Sequence, residues 1–218
     1  MEDFLKDTYD TSSFKIEDVE ADNKCFYSSI LFTLLANSDL NRLIADPTKI
    51  INKNKLNYTF DIERIIRQKN FLDKGFVRDT REYIEKRIVA WIKRNREMIY
   101  PPLCMTIEEI VSLTHDISFD EYISRDINDI PLWGGLVEQI AVSYYYNIEI
   151  NIWRAVKYNQ HNHKINEGII KNGKINKDVR FQLYQKIEPE KVVNKAINIL
   201  WKKRDLEGDH YMCMFRLT

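Results

Sequence analysis

A cysteine opens an apolar run in the segment Asp22-Asn23-Lys24-Cys25-Phe26, and a histidine opens another in Gly208-Asp209-His210-Tyr211. Thiolate is the reactive form of cysteine, and a helix amino terminus favours negative charge through its unpaired N–H groups. The N–H groups of a tight loop can also bind the oxyanion of acyl transfer, and Asn23 suits the left-handed backbone such a loop often needs. A histidine at the start of a strand is well placed to act as base toward a cysteine that folding brings near. Each signal has a plain alternative. Cys25 beside Phe26 also reads as a core cysteine on an amphipathic helix, and His210 as a solvated loop residue. The other histidines are poorer candidates: His161 and His163 flank Asn162 in a polar stretch, and His115 follows a helix, which suits solvation or capping. Cys25, Cys104 and Cys213 are isolated, with no cysteine–histidine spacing of a zinc site.

These groups need elements to carry them. Phe26, Ile30, Leu31, Leu34 and Leu35 recur at helical spacing after Cys25, and Asn37-Ser38-Asp39 supplies a break. Tyr83, Ile84, Ile88, Trp91, Ile92 and Ile99 predict a long amphipathic helix from Thr80 to Ile99, ended by Pro101-Pro102. Thr106-Ile107-Glu108-Glu109 is a capping-box sequence opening another helix. Ser118-Phe119-Asp120-Glu121 predicts a short capped helix, and Trp133-Gly134-Gly135 precedes one from about Leu136 to Tyr145.

The second half changes period. Ile148, Ile150 and Ile152 alternate as in a strand, and Asn172-Gly173 is a strong hairpin signal. Val179–Tyr184, Ala196–Trp201 and Tyr211–Leu217 complete the predicted strands, the last two joined by the polar stretch Lys202–Asp209. Helices first and strands later predict an α+β fold with a largely antiparallel sheet.

Composition narrows the class. The chain has 218 residues, 44% hydrophobic and 30% charged, which suits one soluble globular domain over residues 1–218 that needs no disulfide or metal to fold. Thirty-three Lys and Arg balance thirty-three Asp and Glu, so no bulk charge drives it toward nucleic acid or anionic membrane. The basic run Lys86, Arg87, Lys93, Arg94 and Arg96 is interrupted by Glu82, Glu85 and Glu97 and reads as a solvated face. No apolar run reaches the roughly 18–20 residues of a membrane span, and the acidic, polar start Met1–Asp10 is unlike a targeting peptide. Three cysteines do not form a disulfide framework, which points to the reducing cytosol. Twenty-nine Ile and eighteen Asn against seven Ala suggest an AT-rich genome, as in a virus or intracellular bacterium.

Three blocks together carry a resemblance. Asp22-Asn23-Lys24-Cys25-Phe26 followed by Tyr27-Ser28-Ser29-Ile30 is similar to a D-G-N-C-F opening. Trp133-Gly134-Gly135-Leu136-Val137-Glu138, followed by Ile148-Glu149-Ile150-Asn151-Ile152, matches W-G-G-x-x-E before a helix and strand. Gly208-Asp209-His210-Tyr211 matches a closing G-x-H-Y. In this order, spanning about Val19 to Phe215, they resemble the OTU (ovarian tumour) family of papain-like cysteine proteases, which are deubiquitinases. The resemblance implies an α+β papain-like fold whose central, mostly antiparallel sheet packs between helices.

It also implies roles. Cys25 would be the nucleophile toward an isopeptide carbonyl, His210 the base and later the acid, and Asp22 would shape the oxyanion loop. Trp133 and the two glycines would be structural. Ubiquitin, polyubiquitin or a ubiquitin-like modifier would be the partner of a monomer that uses no cofactor, metal, nucleic acid or membrane. The helical region Asn37–Asp129 would meet the body of ubiquitin. Two positions depart from the pattern. Asn23 and Lys24 replace a glycine and an asparagine, with Lys24 adding positive charge beside the nucleophile. Met212 stands where many members place the Asp or Asn that orients the histidine, and a thioether is a weak acceptor. An acid upstream of the cysteine (Asp18, Glu20 or Asp22) could serve instead, whereas Asp209 should point to the opposite face. The alternative is a ubiquitin-binding OTU-like module with little catalysis.

Overall fold

In Phe14-Lys15-Ile16-Glu17, apolar and charged residues alternate, and the segment is a strand near the start of the chain that pairs with one at its end. The computed structural model describes residues 8–19, 24–36, 74–124, 134–159, 164–167, 170–171, 174–175, 179–190, 195–202 and 210–216. Its strands are β1 (Thr8–Asp10), β2 (Phe14–Glu17), β3 (Ile99–Tyr100), β4 (Met105–Thr106), β5 (Glu149–Asn159), β6 (Lys164–Glu167), β7 (Ile170–Lys171), β8 (Lys174–Ile175), β9 (Val179–Ile187), β10 (Ala196–Lys202) and β11 (His210–Arg216). Its helices are α1 (Cys25–Ala36), α2 (Lys74–Arg94), α3 (Ile107–His115), α4 (Phe119–Ser124) and α5 (Leu136–Tyr146).

The central sheet runs β1-β9-β5-β10-β11-β2, with β6 on β5. Its pairings are antiparallel apart from β5 with β10. The fold is therefore α+β with a mostly antiparallel sheet, as expected. One face packs on α1, α2, α3 and α5 through Phe26, Ile30, Ile84, Ile88, Ile110, Ile140, Ile150, Ile199 and Tyr211. The other face carries Phe14, Trp153, Phe181, Leu200, Met212 and Met214. In β9 the register shifts opposite Ile152 and Trp153, which moves Val179 and Phe181 to the second face and Ile187 to the first.

The boundaries show where local signals governed. Thr106 accepts from the Glu109 N–H at 3.2 Å, and Glu109 accepts from the Thr106 N–H at 2.7 Å, closing the capping box that starts α3. Ser118 caps α4 by accepting from Glu121 N at 3.2 Å. β7 pairs antiparallel with β8, Lys171 opposite Lys174, and Asn172-Gly173 lies outside the described residues. The long helix differs from expectation. It already runs from Lys74 and stops at Arg94, because Asn95 turns its side chain and backbone N–H back onto the Trp91 carbonyl. Ile99 lies in β3, paired with Thr106. The two prolines form the tip of the β3–β4 hairpin, where Cys104 adopts φ 51°.

Candidate active site

Cys25 is the first residue of α1. Lys24 accepts the first helical hydrogen bond, from Ser28 N at 3.0 Å, so the thiol sits in the first turn, where the helix favours an anion. His210 is the first residue of β11, and β11 packs against α1. The Tyr211 N–H donates to Cys25 Sγ at 3.5 Å. That nitrogen is bonded to the His210 carbonyl carbon, so covalent geometry puts Sγ within about 6.4 Å of the His210 Cα. Two residues 185 positions apart in the sequence thus meet where a helix start faces a strand start. Both are buried, Cys25 at 5% exposure and His210 at 2%. No cysteine is in a disulfide.

The third group comes from β2. Its antiparallel pairing with β11 sets Glu17 opposite Cys213 and carries the chain on to Asp18, whose Oδ1 lies 2.6 Å from His210 Nε2. Of the acids the sequence offered, this is the one the structure brings to the imidazole among the described residues. Asp22 and Glu20 lie outside them, as do Asn23, Asp209 and Trp133. With Nε2 held by a carboxylate, Nδ1 is the nitrogen left for the thiol.

Met212 is not a vacated orienting position. Alternation with Tyr211 and Cys213 along β11 sets it, like Met214, in the second core cluster, 4% exposed, with Trp153 and Leu200. Lys24 also corrects the sequence reading. Its ammonium lies 2.8 Å from Glu85 Oε2 on α2, so its charge is matched there rather than left beside the sulfur. Burial pushes the Glu85 carboxyl above its ordinary range, against the pull of Lys24. Glu85 therefore does not belong to the solvated face of α2, unlike the exposed Lys86, Lys93 and Arg94. His115 is a third correction. It ends α3 with its side chain 15% exposed, its Nε2 3.3 Å from Glu138 Oε1, in ring contact with Tyr122. Tyr122 donates a short hydrogen bond to the same carboxylate, and burial beside it pushes the phenol well up.

The glycine segment abuts the nucleophile. A Cβ on Gly134 would come 2.0 Å from Phe26 Cγ, so only glycine lets this backbone lie against the residue after Cys25. The Gly134 carbonyl accepts from Tyr211 Oη and Gln139 Nε2, each at 2.9 Å. Sequence reasoning passed over Gln139 and Tyr211, although Tyr211 sits inside the closing block. Among the described residues no cluster of three or more His, Cys, Asp or Glu could hold a metal.

Neither a family model nor a curated protein matches the chain. Among solved structures it is similar to a chain in the structure of h/ceOTUB1, ubiquitin aldehyde and UBC13~Ub, at 15% identity and TM-score 0.48 over 93% of this chain and 77% of that one. A chain in the corresponding structure with UBCH5B~Ub matches at 15% identity and TM-score 0.47, over 93% and 76%. A chain in a complex of ceOTUB1, ubiquitin aldehyde and UBC13~Ub matches at 17% identity and TM-score 0.44, over 93% and 79%.

Proposed function

We propose that this chain is an OTU-like cysteine isopeptidase that removes ubiquitin, or a ubiquitin-like modifier, from lysine side chains. The observation that carries the reading is the junction of Cys25 at a helix start with the β11 peptide that bears His210, whose Nε2 is held by Asp18. His210 takes the thiol proton, and the thiolate attacks the isopeptide carbonyl carbon. The C–N bond breaks, His210 protonates the departing lysine amine, and an acyl-thioester remains on Cys25. Water, deprotonated by the same imidazole, then releases the carboxylate and restores the thiol. Asp18 fixes the ring and stabilises the imidazolium, the part an orienting acid takes in other nucleophile–base–acid sets. Asp22 and the N–H groups around Cys25 would line the oxyanion loop. The setting is the cytosol, that of a host if the AT-rich coding reflects a virus or intracellular bacterium, with ubiquitin or polyubiquitin as partner of a monomer.

The module reading drew on Met212. A buried Met212 and an Asp18 carboxylate at the imidazole remove that argument for it. A ubiquitin probe with an electrophilic carboxy terminus tests the function. It should label the wild type at Cys25 and leave Cys25→Ala unlabelled though still able to bind ubiquitin, while His210→Ala loses about 10²–10⁴-fold in turnover. A wild-type chain that binds ubiquitin and is never labelled would be a module and no enzyme.

A further inference from the structure

Gln139 lies on the first turns of α5, 4% exposed, and its amide nitrogen serves two acceptors, Gly134 O at 2.9 Å and Tyr211 Oη at 3.0 Å. The Tyr211 hydroxyl in turn donates to the same Gly134 carbonyl at 2.9 Å. The three groups close a buried triangle joining the glycine segment, α5 and β11. This has a cost, because Gln139 Oε1 is left buried without a partner. Flipping the amide would set that oxygen against the Gly134 carbonyl, so the acceptor at 134 dictates the orientation. An unmet acceptor tolerated in this way marks a group held for what its donors do.

What they hold is the surroundings of the sulfur. The Tyr211 N–H is aimed at Cys25 Sγ at 3.5 Å. The Phe26 ring, next to Cys25, packs between the Tyr211 ring, 5.3 Å away centre to centre, and the Cα of Gly134. We propose that Gln139 and Tyr211 are positioning residues for Cys25, the triangle fixing the start of β11 so that the Tyr211 N–H stays on the sulfur and stabilises thiolate. This rests on Cys25 being the nucleophile and deepens that reading. An N–H contact to sulfur is strengthened when the acceptor becomes charged. A donor locked in place beforehand needs no rearrangement when the charge appears.

The test is the rate of Cys25 alkylation by iodoacetamide against pH, read by mass spectrometry on the Cys25 peptide so that Cys104 and Cys213 do not contribute. Circular dichroism and thermal unfolding check each variant. Tyr211→Phe and Gln139→Leu should lower the rate near neutral pH by ~3- to 10-fold and converge with wild type where the thiol is fully ionised, because thiolate is the reacting species. Gln139→Glu places a carboxylate oxygen against the Gly134 carbonyl. It should react more slowly than Gln139→Leu near neutral pH, where the glutamate is ionised, converge with it where the thiol is fully ionised, and recover relative to wild type as pH falls and the acid regains a proton to donate. Should Gln139→Leu fail to fold, Tyr211→Phe, which loses a single oxygen, gives the same reading. Profiles of folded variants that overlay wild type overturn the proposal, as does Gln139→Glu tracking Gln139→Leu at every pH. Alkylation needs no substrate, so a chain that ignores the ubiquitin probe but shows these shifts would refute the isopeptidase and keep the triangle.

Discussion

Replacing Asp18 probes the assembly of the site at its most exposed member. Its Oδ1 lies 2.6 Å from His210 Nε2, the separation of a charge-assisted hydrogen bond. The imidazole is 2% exposed and the Asp18 side chain 62%, so water screens the pair from one side. Two unit charges about 4 Å apart attract by roughly 1 kcal/mol in water and roughly 4 kcal/mol at the effective dielectric near a protein surface. A value between these limits, about 2–3 kcal/mol, corresponds to a rate loss of roughly 30- to 160-fold. Asp18→Ala removes both acceptor and charge and should lose that much in kcat/KM toward a fluorogenic amide of the ubiquitin carboxy terminus. Asp18→Asn keeps an oxygen that can accept from Nε2 and should lose about tenfold or less. Thermal unfolding should change little in either, since the side chain faces solvent. A folded Asp18→Ala within about twofold of wild type would refute the argument, because the lost transition-state stabilisation would be too small for an orienting acid.

Met212→Asp should not restore an orienting group. It should destabilise the fold by about 3–5 kcal/mol in urea unfolding, because an unpaired carboxylate would sit among Trp153, Leu200 and Met214. Unchanged stability would mean that position 212 reaches solvent. Gly134→Ala, whose Cβ meets Phe26 at 2.0 Å, should cost about 1–3 kcal/mol through overpacking and lower turnover as Phe26 shifts. Lys24→Met leaves Glu85 buried without its cation. A carboxyl whose native pKa is raised makes the native state the better proton binder, so its contribution is full at low pH and lost as pH rises through the native value. The stability lost in Lys24→Met should thus be largest, about 2–3 kcal/mol, near neutral pH and shrink as falling pH protonates the Glu85 carboxyl, and a loss independent of pH would contradict the pairing.

What the sequence disclosed depended on how far each interaction reaches. Cys25 and His210 were readable because each stands at the head of an apolar run, and the structure puts both at element starts. Capping at Thr106 and Ser118 was readable because both partners lie within four residues. Choosing Asp18 over its neighbours was not, since the choice follows from the register of β2 on β11. The alternation at Phe14 and Ile16 was the missed signal for that strand. Lys24 and His115 were misjudged for a related reason: Glu85 lies 61 residues from Lys24, and Glu138 lies on another helix from His115. Met212 could be placed only once the strand's two faces were known.

The link between Asp18 and His210 ties together positions 192 residues apart. Loop closure on that scale comes late and slowly relative to local contacts. A nascent chain still lacking β11 carries its sulfur without the imidazole that would arm it. The Cys25–His210–Asp18 arrangement would therefore be complete only once the last strand docks, which would make any thiol reactivity that depends on it a reporter of finished folding.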